Sequence, residues 1–365
     1  MSRRRLAVAA AVAVAVLAAV AVLAAIGSRD EGAFRAPTGV DELVGRLDRA
    51  VPDALVEAHV PGASVAVVRR GRVAWSRGYG VADARTGRPV TADTRFQVGS
   101  LSKPVTAWAV TGRSGLASDT PVVDLLERWP LPASRFDERA VTVRRLLSHT
   151  AGLSVGGYLG VDPGTPLPST LGSLQGAGPA GARTAVALID PPGKQYRYSG
   201  GGYTLLQYAV EQRTGRPFAA WADGAALRPL GMRDSAFAWP PPAGAPAAVG
   251  HDADGRPVPG YRYAELAPAG LSSSAADMGR FAAALIRDPD RLAQPQAGTD
   301  GHYGLGVELD RLGDGTRIVW HEGVNRGWHA RLLVYPGRGW AVVVLTNGDG
   351  GGLVADAVQG AFESD

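Results

Sequence analysis

The sequence predicts an α/β (α+β) fold: one antiparallel sheet built from N- and C-terminal strands and flanked by helices, with a mostly helical subdomain inserted between them. Two observations carry this. Stretches rich in Val and aromatic residues occur near 63–80 and return from about 304 to 346, whereas residues from about 100 to 290 alternate helical spacing with long Gly/Pro-rich loops, notably 160–179 and 239–259. With 365 residues, 45% of them hydrophobic and 20% charged, the chain is long enough for one large domain or two modest ones and too apolar for a disordered tail.

The first element is a run of 21 residues, Leu6 to Ile26, drawn only from Ala, Val, Leu and Ile and preceded by Arg3, Arg4 and Arg5. As a helix it would span roughly 31 Å, which matches a bilayer core of about 30 Å. Residues 1–27 are therefore expected to be an N-terminal membrane anchor or a signal peptide. The length favours an anchor, while Ala25 and Gly27 could frame a cleavage site. Either way the arginines stay inside and the rest of the chain is expected outside the cytoplasm. A linker over 28–38 would lead into a domain over 39–365, with the inserted helical subdomain at about 105–295.

Within that domain, Val40, Leu43, Val44, Leu47, Val51, Leu55 and Val56 recur at helical spacing, with Asp41 as the expected cap. Pro61 and Gly62 end that helix, and Ala63–Val68 and Arg72–Gly80 then read as a hairpin. Helices are expected over Pro104–Thr111, Val141–His149, Gly202–Arg213 and Ser274–Ile286, the last capped by Ser274. Strands are expected over Gly304–Leu309, Arg317–His321, Arg331–Tyr335 and Trp340–Thr346, followed by a helix over Gly352–Phe362.

Charge and composition exclude several functions. The 38 Lys and Arg against 34 Asp and Glu give a net charge of +4, and three of the cations sit at the extreme N-terminus, so no broad nucleic-acid surface is expected. No cysteine is present, which removes thiol catalysis, disulfides and thiolate metal sites. Lys103 and Lys194 are the only lysines. Because lysine, unlike arginine, can lose its proton inside a protein, a lysine in so Arg-biased a chain is a candidate for chemistry.

Three segments carry candidate chemistry. In Phe96-Gln97-Val98-Gly99-Ser100-Leu101-Ser102-Lys103-Pro104 an extended stretch opens a helix, which puts Ser100 and Lys103, three residues apart, on one face. A serine hydroxyl needs a neighbouring base, and an amine one turn away serves if burial lowers its pKa. Alone, the pair reads equally as a helix-start serine beside a solvated lysine. In Arg197-Tyr198-Ser199-Gly200-Gly201-Gly202 a tyrosine adjoins three glycines, and in Trp320-His321-Glu322-Gly323-Val324 a late strand ends on a histidine and a glycine. Read singly, these are a packing aromatic and a sheet-edge histidine.

In this order and spacing the three segments resemble the motifs of the serine β-lactamase and DD-peptidase superfamily, most closely its class C β-lactamase-like branch of carboxypeptidases, D-aminopeptidases and esterases. Leu146-Leu147-Ser148-His149-Thr150-Ala151-Gly152-Leu153, Pro229-Leu230-Gly231-Met232 and Ala269-Gly270-Leu271-Ser272 resemble the same family, over about residues 40–362. The resemblance implies Ser100 as the acylated nucleophile, Lys103 as its proton partner and Tyr198 as general base or acid. It implies an oxyanion hole at the backbone N–H groups of Ser100 and Val324, next to Gly323, worth roughly 3–4 kcal/mol per donor, with His321 orienting the substrate. His149 is expected to be structural.

Two departures stand out. Gly200 occupies the place of the Asn in the family's Tyr-x-Asn, and His321-Glu322-Gly323 stands where β-lactamases commonly carry Lys-Thr-Gly; no Ser-Asp-Asn occurs. Glu322 is expected to add negative charge and weaken the grip on a substrate carboxylate. His321 is expected to be a partly charged hydrogen-bond donor, so that acidic substrates do better at mildly acidic pH.

The expected function is thus a serine hydrolase acting on an ester, a D-amino acyl peptide or a β-lactam-like amide, possible sources including peptidoglycan, with no metal or organic cofactor. The alternative is a catalytically poor protein of the same fold that binds cell-wall fragments.

Overall fold

The computed structural model describes residues 37–112, 116–177, 184–241 and 246–363. The expected anchor or signal segment at 1–27 and most of the 28–38 linker lie outside the described residues. Among the described residues no helix is long and apolar enough to cross a membrane.

Helix α1, Val40–Glu57, buries Leu43, Leu47, Val51, Ala54 and Leu55 along one stripe. Asp41 does not cap it. Gly39 occupies the cap position without a side-chain bond, and Asp41 sits in the first turn, where a carboxylate faces the positive end of the helix dipole. Strands β1, Gly62–Arg69, and β2, Arg72–Asp83, form the hairpin, and β3, Arg88–Pro89, pairs with the end of β2. A two-residue strand β4, Phe96–Gln97, then leads through a 3₁₀ turn, Gly99–Leu101, into α2, Ser102–Thr111.

The middle of the chain carries short helices α3, Val143–Leu147, and α4, Thr170–Leu174, then the longer α5, Gly200–Thr214, and the short α6, Phe218–Ala222, and α7, Leu266–Ala269. Helix α3 is shorter than the spacing predicts because Thr142 caps its start and His149, with φ of 57°, turns the chain soon after its end. Strand β5, Ser272–Ser273, pairs with β4, and α8, Ala275–Arg287, begins at Ser274, whose Oγ accepts the Asp277 N–H.

The C-terminal strands are β6, Glu308–Arg311, β7, Arg317–Asn325, β8, Trp328–Tyr335, and β9, Trp340–Thr346, followed by α9, Gly351–Glu363. Strand β6 starts four residues later than the sequence suggests, because the Gly304–Val307 stretch is a packed turn. A Cβ on Gly306, at φ of 76°, would lie 2.8 Å from Ala107 Cβ and 3.1 Å from Lys103 O.

The sheet runs β3-β2-β1-β9-β8-β7-β6, antiparallel throughout, so β1 pairing with β9 joins the two ends of the chain as expected. Alternate residues feed two cores. Val65, Val67, Leu333, Tyr335, Val342 and Val344 pack against α1 and α9, while Ala66, Val68, Leu332, Val334, Val343 and Leu345 face α8 and the helices of the middle segment. The face toward the middle segment is where β7 meets the turn that carries Ser100.

Candidate active site

Two glycines allow that meeting. Gly99 has φ of 52°, and a Cβ there would fall 2.7 Å from the Val324 nitrogen; a Cβ on Gly323 would fall 1.9 Å from Val98 O and 2.9 Å from the Ser100 nitrogen. The backbone of β7 therefore touches the backbone of the Ser100 turn directly, and the amide nitrogens of Ser100 and Val324 come to the same corner. The Val324 side chain is 60% exposed, so this corner opens to solvent.

Ser102, next to this turn, ties it down: its Oγ donates to Gly99 O at 2.6 Å and accepts the Leu271 N–H at 3.0 Å. One turn along, Lys103 is buried, and its Nζ donates to Ser100 Oγ at 2.9 Å and to Pro268 O at 3.0 Å. Its ammonium also lies 4.7 Å from the centre of the Tyr198 ring. Burial, with no counter-charge to offset it, lowers the Lys103 pKa to about 7.

Tyr198 also reaches Ser100, its hydroxyl donating to Ser100 Oγ at 3.0 Å. It is presented immediately before α5 because Ser199 caps that helix, accepting the Gly202 N–H at 2.9 Å while donating to Ser154 O at 2.7 Å. Burial raises the Tyr198 pKa above the ordinary phenol value, so the hydroxyl stays protonated. Lys103 from the Ser100 segment and Tyr198 from 98 residues along the chain thus converge on one oxygen, Ser100 Oγ.

His321 lines the same region, but not as a partly charged donor. Its Nδ1 lies 2.6 Å from the Glu322 carbonyl, which can only accept, so Nδ1 carries the proton and Nε2 is left as an acceptor facing the Tyr303 hydroxyl at 3.4 Å. Burial and the nearby Lys103 lower its pKa to about 3, and the ring is neutral at physiological pH.

Glu322 does not add charge to the site either. Strand alternation turns it to the opposite face of the sheet from His321. There it accepts from Arg331 Nε at 2.6 Å, and Arg331 NH1 bonds Asp356 Oδ1 at 2.6 Å and Gln359 Oε1 at 3.1 Å on α9.

Gly200 faces the segment after Leu153. A Cβ there would lie 3.1 Å from Gly156 O and 3.2 Å from the Tyr158 ring, and Tyr158 is held by a 2.8 Å bond to Thr204. A side chain at this position would therefore press on residues 156–158.

Sequence reasoning missed one buried pair. Asn325 Nδ2 donates to Gln97 Oε1 at 2.8 Å, and Gln97 Nε2 donates to Tyr261 O at 2.9 Å, locking the end of β7 to the strand before Ser100. The two residues are 228 positions apart, and neither belongs to a local pattern.

Residues 47–362 match the beta-lactamase family. Esterase EstB of Burkholderia gladioli is 35% identical over 212 residues, which cover 53% of this chain and 52% of that protein. A D-aminopeptidase of Brucella anthropi is 29% identical over 317 residues, 80% of this chain and 57% of that protein. The chain thus spans a little over half the length of the curated relatives it matches. Among solved structures, the octameric penicillin-binding protein homologue from Pyrococcus abyssi superposes with a TM-score of 0.69 at 25% identity, covering 84% of this chain and 74% of that one. With the match running from the first helix to the last, this chain belongs to the beta-lactamase family.

Proposed function

We propose that the protein is a class C β-lactamase-like serine hydrolase that forms an acyl-enzyme on Ser100. The observation that supports this most strongly is the convergence of a buried lysine amine and a tyrosine hydroxyl on one serine oxygen, at 2.9 and 3.0 Å. At neutral pH a substantial fraction of Lys103 is the free amine, which takes the Ser100 proton as Oγ attacks the substrate carbonyl. The negative charge on the carbonyl oxygen falls between the N–H groups of Ser100 and Val324, beside Gly323. Tyr198, kept protonated by burial, gives its proton to the leaving group as the bond to the acyl carbon breaks, and is reprotonated from Lys103. Water then attacks the acyl-enzyme, Lys103 takes its proton and returns it to Ser100 Oγ as the bond from Oγ to the acyl carbon breaks, which frees the acid and restores Ser100.

The substrate we assign is an ester first and a D-amino acyl peptide second. Gly200 offers no amide to an acylamino group, His321 is neutral toward a carboxylate, and the relatives include an esterase and D-aminopeptidases. These same features argue against efficient β-lactam turnover. Glu322, one of the two departures from the family pattern that favour the binding-only alternative, pairs with Arg331 on the far face of the sheet, which leaves Gly200 as that alternative's support. We place the protein outside the cytoplasm, attached through residues 6–26, from the sequence of that segment.

The test is turnover of a short p-nitrophenyl ester and of D-alanine p-nitroanilide by residues 28–365, wild type beside Ser100→Ala. Ester turnover that vanishes in Ser100→Ala is expected, and equal turnover in the two proteins would overturn the assignment.

A further inference from the structure

The segment carrying Tyr198 is gripped from three directions by one residue, His149. The Arg197 N–H donates to the His149 carbonyl at 2.8 Å, and the Ser199 N–H donates to His149 Nδ1 at 3.0 Å. The imidazole lies against the Tyr198 ring itself, centroid to centroid 4.3 Å at 35°. The residues on both sides of Tyr198, and its ring, are therefore fixed by a single neighbour.

His149 adopts φ of 57°, a left-handed conformation uncommon for residues other than glycine and entered more readily by Asn, Asp and His than by the rest. Held this way, it turns both its carbonyl and its ring to the Arg197–Ser199 segment. An Nδ1 that accepts an N–H carries no proton, so the neutral ring has its hydrogen on Nε2. Nε2 is buried without a hydrogen-bond partner, and the ring is enclosed by Tyr203 at 5.2 Å, Tyr303 at 5.1 Å and Tyr196 at 5.9 Å. A charged imidazole would set N–H against N–H at Ser199. Burial, together with Lys103 and His321, holds its pKa well below the usual histidine value.

We propose that His149 is the positioning residue for Tyr198: its Nδ1 and carbonyl fix the backbone around Tyr198, and its ring sets the angle at which the phenol reaches Ser100. This rests on the hydrolase reading above, in which Tyr198 transfers the proton. A shift of about 1 Å in a proton donor can cost on the order of 10²-fold in rate, so the contribution belongs in kcat.

The test compares wild type, Ser100→Ala, His149→Ala, His149→Asn and His149→Phe on a p-nitrophenyl ester, with hydrogen exchange of the Ser199 amide measured in each. Asparagine restores an acceptor and tolerates positive φ, whereas phenylalanine fills the space and stacks but accepts nothing. His149→Ala and His149→Phe are expected to lose about 10²-fold in kcat with KM within about 3-fold of wild type, and His149→Asn to recover to within about tenfold. The Ser199 amide should exchange slowly in wild type and His149→Asn and faster in the other two His149 variants. Wild-type kcat in His149→Phe, or His149→Asn as impaired as His149→Phe, would overturn the proposal. Should His149→Ala fail to fold, the Asn and Phe variants still decide it. If wild type shows no Ser100-dependent turnover, the hydrolase reading fails separately, and the Ser199 exchange pattern alone decides: uniform exchange overturns the grip of His149, and faster exchange in Phe but not Asn supports it.

Discussion

Burial, with no charged partner, is what lowers the Lys103 pKa. A pKa near 7 makes the free amine available at neutral pH, while Tyr198 holds its proton well into the alkaline range. The sign follows directly: protonated Lys103 cannot accept the Ser100 proton, so kcat/KM rises as pH climbs through about 7. In the proposed mechanism Tyr198 acts with its proton on, so no alkaline fall is expected below the ordinary phenol value of ~10. A pH–rate profile from 5 to 10 checks both limbs. Tyr198→Phe removes the proton donor but keeps the ring, and a loss of about 10²–10⁴-fold in kcat is expected from steady-state kinetics. His321 gives the opposite expectation to the one its sequence context suggests. With its pKa near 3, it does not titrate between pH 5.5 and 7.5, so the rate ratio for an acidic and a neutral ester of the same size should stay flat across that range; a ratio that rises toward acid would show a charged imidazole.

Elements meet at this site backbone to backbone, and glycine permits it. Gly323 has no room for a methyl group against Val98 O, so Gly323→Ala must move β7 away from the Ser100 turn and separate the two amide donors. We expect at least about a 10²-fold loss of ester turnover, the order of one lost oxyanion donor, with the far-UV spectrum retained. How much of this was legible in the sequence depended on range. Ser100 and Lys103 are readable because a helical turn, here 3₁₀ running into α2, places residues three apart on one face, and β9 is readable to the residue because of its nearly continuous apolar run. The facing of Glu322 was not, since alternation along a strand says that two neighbours part but not which one meets the substrate. The Gln97–Asn325 pair and the grip of His149 on Ser199 were hidden for another reason: they exist only after distant segments have packed. The alternating apolar residues of Gly304 to Val307 look like strand, whereas Gly306 turns the chain against α2 and α5 and Gly304 packs on the Leu292 carbonyl.

At the scale of the whole molecule, the sheet separates two tasks. One face packs α1 and α9 over an apolar core closed by the Glu322–Arg331–Asp356 network; the other supports the helices that bring Ser100, Lys103 and Tyr198 together. Because the sequence reads residues 1–27 as an anchor or signal segment ahead of the domain, residues 28–365 should turn over ester within about 2-fold of the full chain. The full chain should sediment with membranes and the shortened one should not; a full chain found wholly soluble would contradict the proposed attachment.

The central claim is a covalent acyl group on Ser100, and mass spectrometry of protein quenched during turnover of an activated ester tests it most directly. The account predicts one acyl group, on the peptide containing Ser100, present in wild type and absent in Ser100→Ala. Turnover without any adduct on that peptide, or an adduct carried equally by Ser100→Ala, would contradict it.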